Sequence, residues 1–120
     1  MGDKRRILIV EDEPLIAMML EDFLISIGHD VHSICESLEE AHRAIDAGGF
    51  DLAIVDVNLK GENIWPAAAR LHQNGHPFII ATGGHVDPPP AEFAQIPVLS
   101  KPYTIDRVRP LIDAALAPTG

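Results

Sequence analysis

Cysteine is nearly absent. Cys35 stands alone, so no internal disulfide can form, and no Cys/His spacing matches a zinc site. Nothing calls for an oxidising compartment, and the cytoplasm is the default location. Cations are scarce as well: 9 Lys and Arg stand against 18 Asp and Glu, a formal net charge of −9. Proteins that track a phosphate backbone do so with cationic side chains, so the balance argues against direct nucleic-acid binding. Long apolar runs are missing too. Lys4, Arg5 and Arg6 have the look of an export signal's basic start, but the run Ile7-Leu8-Ile9-Val10 stops at once in Glu11, Asp12 and Glu13. That run is too short for export or for crossing a membrane. Linkers and internal repeats are also lacking.

What is present suffices for one domain. A chain of 120 residues with 47% hydrophobic content buries a real core without staples, and a single domain over 1–120 with no output domain attached is expected. Residues 7–10 are rich in β-branched side chains and continuously apolar, the pattern of a parallel strand buried on both faces. Pro14 suits the first position of a helix and Gly28 its stop; between them Ile16, Met19, Leu20, Phe23, Leu24 and Ile27 make one apolar face at helical spacing. The alternation then repeats: a strand near 30–35, a helix over 38–47, a strand over 52–55 leading into Asp56, a helix near 64–73 and a strand over 78–81. An irregular helix follows Pro88, Pro89 and Pro90, then a strand near Val98 and a helix over 105–117 with Thr104 as N-cap. Pro110 falls inside that last pattern, where it is expected to kink or shorten the helix. Five strands alternating with five helical stretches predict an open parallel α/β sheet.

The reactive side chains fall at strand ends. Glu11 and Asp12 follow the first strand, Asp56 ends the third, Thr82 the fourth, and Lys101 follows the fifth. Ligands of open parallel sheets bind beyond the carboxyl ends of the strands, where the strand order reverses. In the common order 2-1-3-4-5, all five residues line one crevice. Three clustered carboxylates repel one another unless a cation sits among them, and hard oxygen donors suit Mg²⁺, or Mn²⁺ in its place. A carboxylate is also a nucleophile toward phosphorus when the charge on the phosphoryl oxygens is neutralised. Lys101 is placed to supply that cation, Thr82 a hydroxyl donor, and Gly83 the space.

Val10-Glu11-Asp12-Glu13, Leu52-Ala53-Ile54-Val55-Asp56, Ala81-Thr82-Gly83 and Lys101-Pro102-Tyr103 resemble the four signatures of response-regulator receivers, in family order and over nearly the whole chain. The resemblance implies a flavodoxin-like (βα)5 fold and a stand-alone module of two-component signalling. It makes Asp56 the phospho-acceptor, Asp12 the direct metal ligand, Glu11 a ligand through water, and the Asn58 backbone carbonyl a further ligand. Thr82 becomes the switch hydroxyl and Lys101 the salt-bridge partner, in a Lys101-Pro102 step that is often cis in this family. The donor it implies is a histidine kinase or histidine phosphotransfer protein, and the output is protein contact or phosphate-sink behaviour.

Two departures stand out. Receivers typically carry Tyr or Phe three residues before the lysine, and Val98 stands there. Tyr103, the single tyrosine, either joins the readout at a partner surface or packs on its loop. The stretch Phe78-Ile79-Ile80-Ala81-Thr82-Gly83-Gly84 partly resembles a largely alphaproteobacterial subclass marked by Phe-Ala-Thr-Gly, with Ile80 in place of the Phe. Gly83-Gly84 followed by Asp87 and three prolines makes the connection after strand four the expected moving part. Leu15, Met18 and Ile25 lie off the core face of the first helix. They form either a partner stripe, since similar receivers dock histidine-bearing helices there, or ordinary scattered apolarity. His29, His32, His42, His72, His76 and His85 have no ligand spacing, and Cys35 and Trp65 are assigned no chemistry. The competing readings are a Mg²⁺-dependent phosphohydrolase and a binding module that needs no phosphorylation. Asn58, where the hydrolase would want an acid, and the intact Asp12, Asp56, Thr82 and Lys101 set weigh against them.

Overall fold

A computed structural model describes residues 4–57, 59, 61–82 and 90–116. Five parallel strands, β1 (Arg6–Val10), β2 (Asp30–Cys35), β3 (Leu52–Asp56), β4 (Phe78–Thr82) and β5 (Val98–Ser100), form one sheet in the order β2-β1-β3-β4-β5. The order reverses between β1 and β3, which pair in register from Ile7 with Leu52 to Val10 with Val55. Four α-helices accompany them among the described residues: α1 (Pro14–Ser26), α2 (Leu38–Ala47), α3 (Trp65–Gln73) and α4 (Ile105–Leu116). The irregular helix expected after the prolines is a single 3-10 turn over Ala91–Phe93. This is the flavodoxin-like arrangement.

Strand side chains alternate between two cores. Ile7, Ile9, Leu52, Ile54, Ile79, Ala81 and Leu99 face α1 and α4, where they meet Leu20, Leu24, Val108 and Ile112. Leu8, Val10, Ala53, Val55, Phe78 and Ile80 face α2 and α3 and meet Ala41, Ile45, Ala68 and Leu71. Burial on both faces explains why these strands read as unbroken apolar runs.

The helix ends follow the expected chemistry. Pro14 opens α1 with no donor to waste. Gly28 follows its end with φ 98°, a conformation that favours glycine. At α2 the Ser37 hydroxyl accepts from the Glu40 N–H at 3.1 Å while Glu40 accepts from the Glu36 N–H at 2.7 Å. Ser37→Ala is expected to destabilise the domain by about 1 kcal/mol, read as a shifted urea midpoint with unchanged slope. Thr104 caps α4, its Oγ1 accepting from the Arg107 N–H at 3.3 Å. α4 runs from Ile105 to Leu116 with Pro110 inside it. The proline removes one bond to the Asp106 carbonyl, and both residues are exposed, so water satisfies that carbonyl.

Candidate functional site

The alternation that builds the α1/α4 core continues past the strand ends. Glu11 extends the side of Ile7 and Ile9, Asp56 that of Leu52 and Ile54, and Lys101 that of Leu99. All three therefore arrive on one side of the sheet at its carboxyl edge, at the point where strand order reverses. The Glu11 N–H donates to the Cys35 carbonyl at 2.9 Å, and the Lys101 N–H to the Thr82 carbonyl at 2.9 Å. Those backbone bonds hold both loops against the sheet. The Lys101-Pro102 peptide is cis.

Glu11 and Asp56 are each 1% exposed, the two buried charged side chains among the described residues. The Lys101 ammonium bridges them, 2.9 Å from Asp56 Oδ2 and 3.1 Å from Glu11 Oε1. Its bond to Asp56 is a directed hydrogen bond; its contact with Glu11 is an ion pair that leaves buried Oε1 without one. Glu11 Oε2 accepts from the Glu13 N–H at 3.2 Å. Burial would lower the Lys101 pKa, but the hydrogen bond to Asp56 and the charges of Asp56 and Glu11 outweigh it and raise it. Burial first, then the hydrogen bond and charge of Asp56, push Glu11 up to about 7 against the opposing pull of Glu13 N–H and Lys101.

Asp12, half-buried, completes an acidic trio. Glu11, Asp12 and Asp56 each offer a carboxylate oxygen, and the three atoms lie within 4.8 Å of one another. Three carboxylates and one ammonium sum to −2 when all are ionised. A hard divalent cation fits both that charge and the all-oxygen donors, and the under-bonded Glu11 Oε1 is a lone pair in want of one. Thr82 closes β4 half-buried. Register places Ala81 opposite Asp56, so Thr82 stands one residue beyond it on the neighbouring strand. Asn58, Gly83, Gly84, His85, Asp87, Pro88 and Pro89 lie outside the described residues.

The outlying residues are also located. Leu15 is 80% exposed, and Met18 and Ile25 are more than half exposed, on the outer face of α1. Val98, in place of the aromatic, starts β5 with its side chain exposed. Tyr103, expected either at a partner surface or packed on its loop, is 4% exposed and packed with Leu20, Leu99 and Val108 in the α1/α4 core. It walls the acidic hollow from below. Its ring centroid is 6.0 Å from Lys101 Nζ, and burial, then the charges of Glu11 and Asp56, raise its pKa. The signal that marks it is the alternation Leu99, Lys101, Tyr103, which carries the core side of β5 past the strand end. Cys35 is buried, and burial pushes its thiol up, away from reactivity.

Residues 7–113 match the family of the response regulator receiver domain. The chain is 44% identical to SdrG from Sphingomonas melonis Fr1, whose solution structure it matches with a TM-score of 0.85 over 98% of this chain and 100% of that one. It is 43% identical to SdrG of Pseudomonas melonis Fr1 in its BeF3-activated conformation, with a TM-score of 0.82 over the same shares. Over 68 residues it is 37% identical to the transcriptional regulatory protein TcrA of Mycobacterium tuberculosis, a stretch that is 57% of this chain and 26% of that protein's length. A parallel sheet of order 2-1-3-4-5 with an acidic trio and a lysine at its carboxyl edge places the chain among the flavodoxin-like α/β domains. The chain belongs to the response regulator receiver family, the receiver domains of two-component systems. No helix among the described residues is long and apolar enough to cross a membrane.

Proposed function

We propose that Asp56 accepts a phosphoryl group from a phosphohistidine and that the resulting acyl phosphate is the signal. The observation that carries this reading is the buried Lys101 ammonium held between Asp56 Oδ2 and Glu11 Oε1, a cation kept where a phosphoryl group arriving on Asp56 brings negative charge. An Asp56 carboxylate oxygen attacks phosphorus in line, the P–N bond to the donor imidazole breaks, and the imidazole leaves with that electron pair. Lys101 neutralises one phosphoryl oxygen and the Thr82 hydroxyl donates to another. Glu11, Asp12 and Asp56, with the Asn58 carbonyl, would hold Mg²⁺ or Mn²⁺, which when bound neutralises the remaining phosphoryl charge. Water later hydrolyses the acyl phosphate, so the chain is a substrate that turns itself off rather than a turnover enzyme.

The donor in this reading is a histidine kinase or a histidine phosphotransfer protein, which puts the chain in the cytoplasm. Its histidine-bearing helix lies on the apolar stripe of α1 formed by Leu15, Met18 and Ile25. Output runs through contact with a further protein or by draining phosphoryl groups from a relay. The BeF3-activated state of an SdrG 43% identical to this chain supports a site that responds to a tetrahedral phosphoryl mimic.

Intact mass after incubation with acetyl phosphate tests the reading. One phosphate adduct is expected with Mg²⁺ and none with EDTA. A chain that takes up no phosphate but still binds a kinase is the binding module, and one that releases phosphate from small esters with turnover is the hydrolase. Leu15→Glu combined with Met18→Glu is expected to slow transfer from a phosphohistidine donor by about tenfold or more while labelling by acetyl phosphate stays unchanged. An equal loss with both donors refutes the docking assignment.

A further inference from the structure

We infer a second binding site, at the pole of the sheet opposite the acidic hollow, that takes a small organic carboxylate with an apolar body. A cleft of about 640 Å³ opens there, within the range of small-molecule sites. It lies where Arg5 enters β1, Phe78 opens β4 and Leu116 ends α4. Phe78, Ile96 and Leu116 give it an apolar lining, and Arg5, His72 and His76 contribute nitrogen donors.

Those donors are uncommitted. Among the described residues Arg5, like Arg6, Arg107 and Arg109, pairs with no carboxylate, whereas Lys4, Arg43, Arg70 and Lys101 are each ion-paired. The acid that shares the cleft, Asp51, spends Oδ2 on the Arg6 N–H at 2.9 Å. The His72 ring stands edge-on to Phe93 with centroids 6.3 Å apart, and the His76 ring lies 4.4 Å from Phe50. Those ring contacts orient both imidazoles, and neither ring makes a hydrogen bond among the described residues.

A guanidinium with free N–H groups above an apolar lining is chemically matched to a carboxylate on a hydrocarbon or aryl body: the fork takes the headgroup in two parallel bonds while the body displaces water. In a chain of net charge −9 the overall field repels anions, so retention at this pole depends on those local donors. The site is independent of phosphorylation at Asp56.

The test is a ¹⁵N NMR titration of the full chain with 4-phenylbutyrate, set beside its neutral counterpart 4-phenylbutanol and beside acetate. Saturable shifts are expected for Gly75, His76, Phe78 and Ile96 with 4-phenylbutyrate. Binding is expected to be about tenfold weaker for the alcohol and for Arg5→Gln, the worth of one charge-assisted pair. Acetate, lacking the body, does not saturate. Equal affinity for acid and alcohol, an Arg5→Gln variant that binds as tightly as wild type, or shifts scattered away from the cleft each overturn the site. Unchanged Glu11 and Asp56 resonances in Arg5→Gln establish that the variant is folded.

Discussion

Asp56→Asn gains no phosphoryl mass from acetyl phosphate under conditions where the wild type gains one. An amide of the same volume keeps the packing of a residue that is 1% exposed, but its oxygen carries no charge to direct at phosphorus and no good acyl leaving group results. Two further effects distinguish this from a merely damaged fold. Asp56 raises the pKa of Glu11 by a hydrogen bond and by charge, so in the variant Glu11 titrates below its wild-type value of about 7, as its side-chain carboxyl resonance reports. Divalent affinity falls by at least about tenfold, because one of three clustered carboxylates is gone and even outer-sphere partners of a metal are worth that much. An adduct that persists in Asp56→Asn places the phosphoryl group elsewhere and removes the basis of the proposed function.

The course of the chain was legible because its strands are buried on both faces and its helices carry their own punctuation. Runs such as Leu52-Ala53-Ile54-Val55 leave no other conformation that satisfies so much apolar surface, and Pro14, Gly28, Ser37 and Thr104 mark helix ends by local chemistry alone. The meeting of Glu11, Asp56 and Lys101 was also readable, since it needs only parallel strands, a two-residue alternation and the reversal of strand order. Tyr103 was legible only as one of two alternatives, because its burial depends on how the chain after Lys101-Pro102 folds back onto α1 and α4, and the alternation Leu99, Lys101, Tyr103 is its one local signal. Pro110 stands inside α4, where Val108 and Ile112 on either side are fully buried, and their packing outweighs the one bond the ring removes.

An aromatic cluster joins α3 and β4 to the 3-10 turn. Phe93, 1% exposed, stacks on Trp65 at 5.5 Å and meets Phe78 edge-on at 6.0 Å. Trp65 opens α3, the helix reached from Asp56, and Phe93 ends the 3-10 turn reached from Thr82. Val98 stands in β5 where the resemblance to receivers leads one to expect an aromatic, and its side chain is exposed. The Trp65–Phe93 stack thus joins the start of α3 to the end of the 3-10 turn.

Lys101→Met destabilises the metal-free domain by about 3–5 kcal/mol near pH 8, the cost of leaving buried charge uncompensated, and by much less near pH 5. Methionine keeps the unbranched stem, so the loss belongs to the ammonium rather than to packing. The pH trend follows from Glu11. Its pKa in the folded protein is raised from 4.5 to about 7, so between those values the folded state binds the extra proton. That contribution to stability is fully present below pH 4.5 and is lost as pH rises through about 7, at most about 3 kcal/mol in the metal-free wild type. Removing Lys101 takes away one of the two influences that lower the Glu11 pKa. The neutral acid then persists to higher pH, and the gap between variant and wild type widens as pH rises. Urea unfolding at several pH values measures that gap. Magnesium is expected to narrow it, since a divalent cation held by the same carboxylates replaces the missing charge, and to bind more tightly as pH rises and Glu11 gives up its proton. A gap that is constant with pH, or indifferent to magnesium, means that Lys101 acts through packing and that the buried trio does not behave as a single electrostatic unit.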